Sequence, residues 1–317
     1  MLRRASLGDL NMRTPNDEET DYRSAVCAVI VTYNIGFEIH ACVNAIRNQV
    51  SEVVIVDNGS DPETRLELEK LSNQSLATVL LNAHNKGIAC ALNQGFQYGL
   101  ERGYRWFLTL DDDSEATPGM VAKLLDGWRA AEARGAKVGI VAANPFDKKS
   151  HTYYVNGYQS TDTEVVVEVP TVISSGSLIG KTAFEIVGFQ NEELFLYYVD
   201  DDFCLRLRRA GLGVFLCPSA ILLHQEGNRV SRNFLGRKVH YNNYGKEACY
   251  YISRNACYML RKLWEYEERR YFYRVATRLA KDAIKVVLYD EQPIQKLSFV
   301  IRGIRDGIRG RYGELGM

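Results

Sequence analysis

The chain carries the run AVCAVIVTYN at residues 25–34, in which small and β-branched side chains fill the positions before the polar end. A short apolar run of this kind, bounded by polar residues, predicts a β-strand that is buried on both faces. Such strands occur in parallel sheets whose two faces are covered by helices. The stretch therefore indicates an α/β fold, with Thr32, Tyr33 and Asn34 at the carboxyl end of the first strand.

Strand and helix patterns alternate beyond this run. Apolar runs predict strands at 53–56, 78–81, 104–110 and 138–142, and helical spacing predicts helices at 37–48, 62–72, 88–100 and 118–133. Further on, the sequence predicts a β-rich stretch at 153–179, helices at 181–187 and 203–210, short strands at 214–217 and 220–223, and helices beyond 240. Strands that alternate with helices of this length pair in parallel. We therefore predict an open, mostly parallel α/β sheet flanked by helices, with a C-terminal helical basic extension.

The size and composition suit a folded protein of about two domains with a buried core. The chain has 317 residues, of which 46% are hydrophobic and 25% charged, and this excludes a disordered or collagen-like protein. We predict a disordered or extended arm at 1–24, a main domain at 25–230 and a helical, basic subdomain at 231–317. The main domain is expected to divide into halves at 25–118 and 119–230.

The charge is distributed unevenly along the chain. Residues 1–227 carry 30 acidic and 20 basic side chains, whereas residues 228–317 carry 9 and 19. The basic end, with its interleaved aromatic residues, has two interpretations: contact with anionic lipid headgroups, or a helical subdomain that covers the site or forms a homodimer. No recognised nucleic-acid module accompanies the charge, so no nucleic-acid partner is expected.

The sequence also predicts where the protein works. No apolar run approaches the ~18 residues needed to span a bilayer, and the first residues have no signal-peptide core. We expect a cytoplasmic protein, with peripheral contact to the inner face of the cell membrane as one alternative.

Four polar clusters follow the first four predicted strands. They are Thr32–Asn34, Asp57 with its neighbours Asn58 and Gly59, the segment 82–87, and the carboxylates Asp111, Asp112 and Asp113. In an open parallel sheet, ligands bind beyond the carboxyl ends of the strands. The four clusters are therefore expected to form one site.

Two of these clusters have a specific chemistry. Strand alternation sends Asp111 and Asp113 to the same side, where two carboxylates bind a divalent ion such as Mg²⁺ or Mn²⁺. The alternative is a solvated acidic turn before the next helix. Asn85, Lys86 and Gly87 open a helix whose N-terminus could receive phosphate; the alternative is an N-cap and a tight turn.

A second acidic cluster and a histidine complete the candidates. Asp200, Asp201 and Asp202 precede a predicted helix and could supply a general base. The alternative is a helix N-terminal cap in which Asp202 pairs with Arg206. His224 follows a predicted strand and could bind a metal or a phosphate, or serve the structure alone.

Six segments, in order along the chain, resemble glycosyltransferase family 2, which has the GT-A fold, and its bacterial rhamnosyltransferase-like members. They are VTYN at 31–34, IVDNGS at 55–60, NKGIA with ALNQG at 85–95, LDDDS at 110–114, SSGSLI at 174–179 and YVDDDFCLR at 198–206, with HQEG at 224–227 as the closing element. The resemblance covers residues 25–230. It departs from the family at Val199, where an acidic residue is usual.

The resemblance implies an inverting, metal-dependent transfer of a sugar from a nucleoside diphosphate donor. The favoured donor is dTDP-β-L-rhamnose, and the acceptor is a hydroxyl of a glycan or lipid-linked saccharide in bacterial surface polysaccharide synthesis. The implied donor contacts are Thr32, Tyr33, Asn34, Asp57, Asn85, Lys86, Gly87 and Asp112. The implied ligands of Mn²⁺ or Mg²⁺ are Asp111, Asp113 and His224. The implied catalytic base is Asp200, with Asp201 and Asp202 as alternatives.

Three other functions are alternatives to this one. A family 2 transferase could use a UDP-hexose or UDP-galactofuranose donor. A nucleotidyltransferase would carry a glycine-rich, basic loop after the first strand, which TYNIGF at 32–37 does not resemble. A scaffold that has lost its chemistry would not need two intact acidic clusters.

Overall fold

The computed structural model describes residues 25–153, 164–224, 229–234, 237–290 and 292–316. The predicted arm at 1–24, part of the β-rich stretch and the residues 225–227 that follow His224 lie outside the described residues.

The described chain forms strands and helices in an alternating order. The strands are β1 (Val26–Thr32), β2 (Glu52–Asp57), β3 (Thr78–Leu81), β4 (Trp106–Asp111), β5 (Glu115–Ala116), β6 (Val138–Asp147), β7 (Thr152–Tyr153), β8 (Val167–Glu168), β9 (Ser177–Gly180), β10 (Gly213–His224), β11 (Arg229–Phe234) and β12 (Arg237–Asn242). The α-helices are α1 (Ile39–Ile46), α2 (Pro62–Asn73), α3 (Ile88–Glu101), α4 (Met120–Ala133), α5 (Lys181–Val187), α6 (Val199–Arg209), α7 (Lys246–Glu265), α8 (Arg269–Tyr289) and α9 (Pro293–Ile308). Two 3₁₀ turns lie at Gly36–Glu38 and Glu192–Leu194.

One mixed sheet forms the centre of the molecule. Its strand order is β3-β2-β1-β4-β9-β6-β10-β5, and β11 pairs with β12 separately. The strands β1 to β4 pair in parallel, as do β6 and β10, which confirms the predicted open α/β sheet. Strand β9 runs antiparallel between β4 and β6. Periodicity does not indicate the direction of a four-residue buried strand, so the sequence did not predict this reversal.

The alternation of side chains in β1 divides the core into two layers. Val26, Ala28 and Ile30 face a cluster that includes α1, and the intervening Cys27 and Val29 face α3. Helix α3 approaches β1 closely because Gly95 carries no side chain: a Cβ there would lie 2.3 Å from Cγ1 of Val29. This close packing fixes the N-terminus of α3 above the carboxyl ends of the strands.

Three element boundaries differ from the prediction. Strand β6 continues to Asp147, and β10 is one strand to His224 with a register shift between Cys217 and Ile221, rather than two short ones. Helix α6 begins at Val199, so Asp200, Asp201 and Asp202 lie in its first turn and not before it. Acidic side chains are favourable in a first turn because the helix dipole is positive there.

The C-terminal helices confirm the predicted helical extension. Helix α7 shares a buried cluster with Leu194, Tyr198 and Val199 in the segment that leads into α6. Within the described part of the chain, no helix combines the length and the apolarity that a membrane crossing needs.

Candidate active site

The strand order reverses between β1 and β4, and the candidate site lies at this point. From β1 the chain proceeds outward to β2 and β3, and it then returns to place β4 on the other side of β1. The register sets Thr32 beside Asp57 and Val31 beside Asp111. The carboxyl ends of neighbouring parallel strands diverge at such a point and leave a crevice for a ligand.

Two carboxylates and an imidazole meet at this edge. One ligand atom from each of Asp111, Asp113 and His224 lies within 4.8 Å of the others. His224 is far from the two aspartates in the sequence. It lies beside them because Leu222 and Leu223, the residues just before it, pair with the short strand β5. The structure thus brings together the three residues that the sequence suggested as metal ligands.

The arrangement fits a divalent cation. Oδ1 of Asp113 is buried and has no hydrogen-bond partner among the described residues, although Nδ1 of His224 lies 3.6 Å away. Burial, with the nearby Asp113 and Asp112 carboxylates, raises the pKa of Asp111 to about 7. A bound cation would satisfy the oxygen and offset the crowded negative charge. The two carboxylates and the imidazole could therefore hold such an ion.

Two buried serines contact the side chain of His224 and the main chain of Asp111. Oγ of Ser114 lies 2.8 Å from Nδ1 of His224 and 2.9 Å from Oγ of Ser175. The backbone N–H of Asp111 donates to Oγ of Ser175 over 2.9 Å. Hydrogen bonds of this kind orient the ligands of a metal site. Both serines lie within the motifs LDDDS at 110–114 and SSGSLI at 174–179, but the sequence alone indicates no role for either.

Asp112 points away from this group. Its Oδ2 accepts a hydrogen bond from the backbone N–H of Tyr33 over 3.1 Å, and burial raises its pKa. The side chain therefore ties the turn after β4 to the turn after β1, where Thr32 is buried and Tyr33 is exposed.

The turn after β2 is rigid. The buried Asp57 accepts from the backbone N–H of Ser60 over 3.1 Å, and Nε of Arg65 lies 3.5 Å from its Oδ2. Asn34, with φ at 56°, accepts from the backbone N–H of Asp61 through its Oδ1 over 2.8 Å. These contacts hold the ends of β1 and β2 in one arrangement.

The segment before α3 is built as a tight turn. Oδ1 of Asn85 accepts from the backbone N–H of Gly87 and from Nδ2 of Asn58, both over 2.9 Å. Gly87 has φ at +86°, and a Cβ there would lie 2.6 Å from the carbonyl oxygen of Phe195. The side chain of Asn85 is thus occupied by the turn, as in the structural alternative, while Lys86 is exposed.

The three carboxylates of the second acidic cluster, Asp200, Asp201 and Asp202, have different surroundings. Asp202 is buried and accepts from Nε of Arg206 and from the hydroxyl of Tyr258, each over 2.8 Å. Asp201 accepts from the hydroxyls of Thr171 and Tyr271, each over 3.1 Å. The Asp202–Arg206 pair is the one that the structural alternative expected.

Asp200 differs from its two neighbours. Its Oδ1 accepts from the backbone N–H of Asp201 over 2.9 Å, within the same helical turn. Burial, followed by the neighbouring Asp201, raises its pKa to about 7. Asp200 and Asp111 line one cleft of about 420 Å³. A carboxylate with this pKa, beside a cleft, can accept a proton near neutral pH.

Comparison with known proteins identifies the family. Residues 27–187 match Glycosyl transferase family 2. The chain is also 31% identical over 249 residues to the dTDP-rhamnosyl transferase RfbF of Shigella flexneri, which covers 75% of this chain and 81% of the relative. The chain belongs to glycosyltransferase family 2.

Solved structures agree with this fold at low sequence identity. The mannosyltransferase PcManGT from Pyrobaculum calidifontis, in complex with GDP-Man and Mn²⁺, has a TM-score of 0.51 and 13% identity, covering 92% of this chain and 88% of its own. GalNAc-T7 with UDP, GalNAc and Mn²⁺ has a TM-score of 0.54 and 14% identity, covering 90% of this chain. This glycosyltransferase spans only 56% of the GalNAc-T7 chain.

The loop before Asp200 has an unusual backbone. Phe195, Tyr197 and Tyr198 have φ values of 61°, 64° and 61°, in the left-handed region that side-chain-bearing residues seldom adopt. Each such residue costs on the order of 1–3 kcal/mol and persists only where its surroundings hold it.

Two adjacent residues of α7 hold this loop by its main chain. Nδ2 of Asn255 lies 2.8, 2.8 and 2.9 Å from the carbonyl oxygens of Leu194, Leu196 and Tyr197. The fully buried Arg254 donates to the carbonyl oxygens of Glu193 and Leu194 over 3.1 and 2.8 Å, and also to that of Gly313. We call Arg254 and Asn255 the α7 clamp. The sequence does not indicate this clamp, because nothing in the local pattern of a helix links it to a loop about 60 residues earlier.

Proposed function

We propose that this glycosyltransferase moves a sugar from a nucleoside diphosphate donor to a hydroxyl acceptor, with a divalent cation and with inversion at the anomeric carbon. The observation that carries the proposal is that Asp111 and Asp200 line one cleft. Asp111 belongs to a group suited to a cation, and Asp200 is a carboxylate suited to proton transfer. Inverting transfer uses a base on one face of the reacting carbon and stabilises the leaving group on the other, and a cation is one means of that stabilisation.

The donor side is assigned to the edge formed by β1 to β4. Thr32, Asn34 and Asp57 contact the base and ribose, with Tyr33 and Asp112 at the same turn. Asn85, Lys86 and Gly87 lie beside the ribose and diphosphate. Asp111, Asp113 and His224 hold Mn²⁺ or Mg²⁺, an assignment supported by the Mn²⁺ in the PcManGT complex. When bound, such an ion stabilises the negative charge that develops on the departing diphosphate.

The acceptor side is assigned to Asp200. The carboxylates of Asp201 and Asp202 already accept hydrogen bonds from other side chains, so the base is assigned to Asp200 rather than to either neighbour. Asp200 accepts the proton of the acceptor hydroxyl as that oxygen attacks the anomeric carbon. General-base catalysis of this kind contributes on the order of 10²–10⁴-fold to the rate.

The favoured donor is dTDP-β-L-rhamnose, supported by the 31% identity to a dTDP-rhamnosyl transferase. The acceptor is a glycan or lipid-linked saccharide of bacterial surface polysaccharide synthesis, modified at the cytoplasmic face of the membrane. We also propose that the domain boundaries lie after residues 24 and 230, and that the two halves of the main domain meet near residue 118.

A donor panel tests the proposal. Purified protein is given dTDP-rhamnose, UDP-glucose, UDP-galactofuranose or GDP-mannose with Mn²⁺, Mg²⁺ or EDTA, and release of nucleoside diphosphate and calorimetric binding are measured. We expect metal-dependent binding and turnover of dTDP-rhamnose, both lost in Asp113→Asn and both kept in the exposed control Asp126→Asn. Preference for a UDP-sugar would overturn the rhamnosyl assignment alone. Failure to bind any donor would favour the scaffold alternative.

A further inference from the structure

Helix α8 forms a wall of the cleft that faces the acidic helix turn. Tyr271, Arg274 and Arg278 line the cleft together with Asp200 and Asp201. They follow at intervals of three and four residues, so they lie on one face of the helix. This wall is beyond residues 27–187, the segment that matches the family.

The two arginines are available to a ligand. The side chain of Arg278 is 57% exposed, and it forms an ion pair with Asp282 in which Nε lies 3.8 Å from Oδ2, too far for a hydrogen bond. The guanidinium of Arg274 lies 5.6 Å from the ring of Tyr271, a contact that leaves its N–H groups able to donate elsewhere. Both side chains therefore bring positive charge and several donors to the cleft.

A second, independent observation points to a ligand at the same place. Tyr198 is only 7% exposed and lines the cleft, yet its hydroxyl has no hydrogen-bond partner among the described residues. A buried hydroxyl without a partner is unfavourable. The left-handed backbone of Tyr198, at φ 61°, adds a further cost at this residue. A bound group that accepts a hydrogen bond would give this hydroxyl a partner.

We propose that Arg274, Arg278 and Tyr198 bind a phosphate ester or diphosphate group of the acceptor, close to the hydroxyl that Asp200 deprotonates. This inference rests on the proposed function, because it assigns the donor diphosphate to the group formed by Asp111, Asp113 and His224. Two guanidinium groups one helical turn apart, with a phenol hydroxyl, supply forked donors to the oxygens of one phosphate. The acceptor class is therefore a phosphorylated saccharide.

A competing role for the arginines is to offset the charge of Asp200 and Asp201. That role would require no phosphate on the acceptor, and it would leave the hydroxyl of Tyr198 unexplained. The two roles differ in what binds to the full-length protein, so a binding experiment separates them.

The experiment uses the full chain saturated with dTDP and Mn²⁺, so that the donor side is filled. Octyl phosphate, glucose 1-phosphate and the neutral octyl glucoside are titrated by calorimetry. We expect at least one phosphate probe to bind at least ~10-fold more tightly than octyl glucoside. Arg274→Gln and Arg278→Gln should each weaken that binding about 10-fold or more, and Tyr198→Phe should weaken it severalfold.

Matched controls make the result specific. Arg270→Gln, on the same helix but outside the cleft lining, should bind the probes as the wild type does. Arg278→Lys keeps the charge but loses the fork, so it should recover part of the affinity. Circular dichroism checks that each variant is folded.

Each outcome decides the inference. Tighter binding of octyl phosphate indicates a lipid phosphate as the source, and tighter binding of glucose 1-phosphate indicates a soluble sugar phosphate; either supports the site. Equal binding of charged and neutral probes, or arginine variants with wild-type affinity, would overturn the inference and leave the proposed function standing. If dTDP and Mn²⁺ fail to bind to the wild type, the proposed function falls and the inference falls with it.

Discussion

The two acidic clusters of this glycosyltransferase are held in place by different means. The group of Asp111, Asp113 and His224 lies at strand ends and is supported by Ser114 and Ser175 within the main sheet domain. Asp200 follows a loop with three left-handed residues, and the α7 clamp holds that loop from the C-terminal helices. The proposed cation site is therefore fixed by the sheet, whereas the position of Asp200, the proposed base, depends on packing between distant parts of the chain.

The replacement of Asp200 tests the comparison most strongly. Asp200→Asn keeps the shape but removes the proton acceptor, so we expect kcat to fall about 10²–10⁴-fold while dTDP binding with Mn²⁺ is kept. Steady-state kinetics and calorimetry measure the two effects. Asp201→Asn is the matched control on the same turn and should retain more activity. Equal losses in both variants would contradict the assignment of a single base.

The second prediction concerns the support of the cation side. Ser114→Ala removes the hydroxyl that contacts Nδ1 of His224, and loss of such a supporting contact lowers metal affinity about 10–100-fold. Titration with Mn²⁺ followed by electron paramagnetic resonance measures this change. Ser298→Ala, on an exposed face of α9, is the control. An unchanged Mn²⁺ affinity would mean that the serine does not orient the histidine.

The third prediction concerns the α7 clamp. Asn255→Ala removes the donor to the partly buried carbonyl oxygens of Leu196 and Tyr197, at a cost of about 1–3 kcal/mol in the free energy of unfolding. The loop should then lose its fixed conformation, and we expect kcat to fall about 10-fold with dTDP affinity within twofold of the wild type. Gln295→Ala, an exposed amide on α9, is the control for denaturant unfolding and kinetics. A parallel loss of dTDP affinity would mean that the two sides of the site are not independent.

The smallest effect is on stability and depends on pH. The pKa of Asp200 in the folded protein is raised to about 7, so ionisation destabilises the folded state as pH rises above the ordinary value of 3.8. This destabilisation of the folded state is absent below about pH 4 and complete above about pH 7. Asp200→Asn should therefore raise the free energy of unfolding at pH 8 in EDTA and leave it unchanged at pH 4. A gain of equal size at both pH values would reject this cause.

The sequence predicted the nucleotide half of the fold closely. Strand β3 has the predicted bounds, and β1, β2 and β4 agree to within two residues, because continuous apolar runs are a strong local signal. The convergence of the four polar clusters follows from the parallel order of the strands. Local pattern and tertiary structure agree in this half.

The remainder could not be predicted from local pattern. Tyr197 and Tyr198, which precede the early start of α6, have a left-handed backbone that their residue type does not favour, and the carbonyl oxygen of Tyr197 is held by the distant Asn255. The link from Ser114 to Ser175 and His224 joins residues 61 and 110 positions apart. Contacts of this range appear only once the whole sheet has formed.

The α7 clamp has a consequence for how acceptor preference can change. The clamp donates hydrogen bonds to main-chain carbonyl oxygens, and every amino acid contributes the same carbonyl group to the main chain. Substitutions of the side chains at Leu196 and Tyr197, which both line the cleft, would therefore keep the same hydrogen bonds to Asn255. Side chains along this segment could therefore change, by evolution or by design, without moving Asp200, the proposed base, which lies just beyond it.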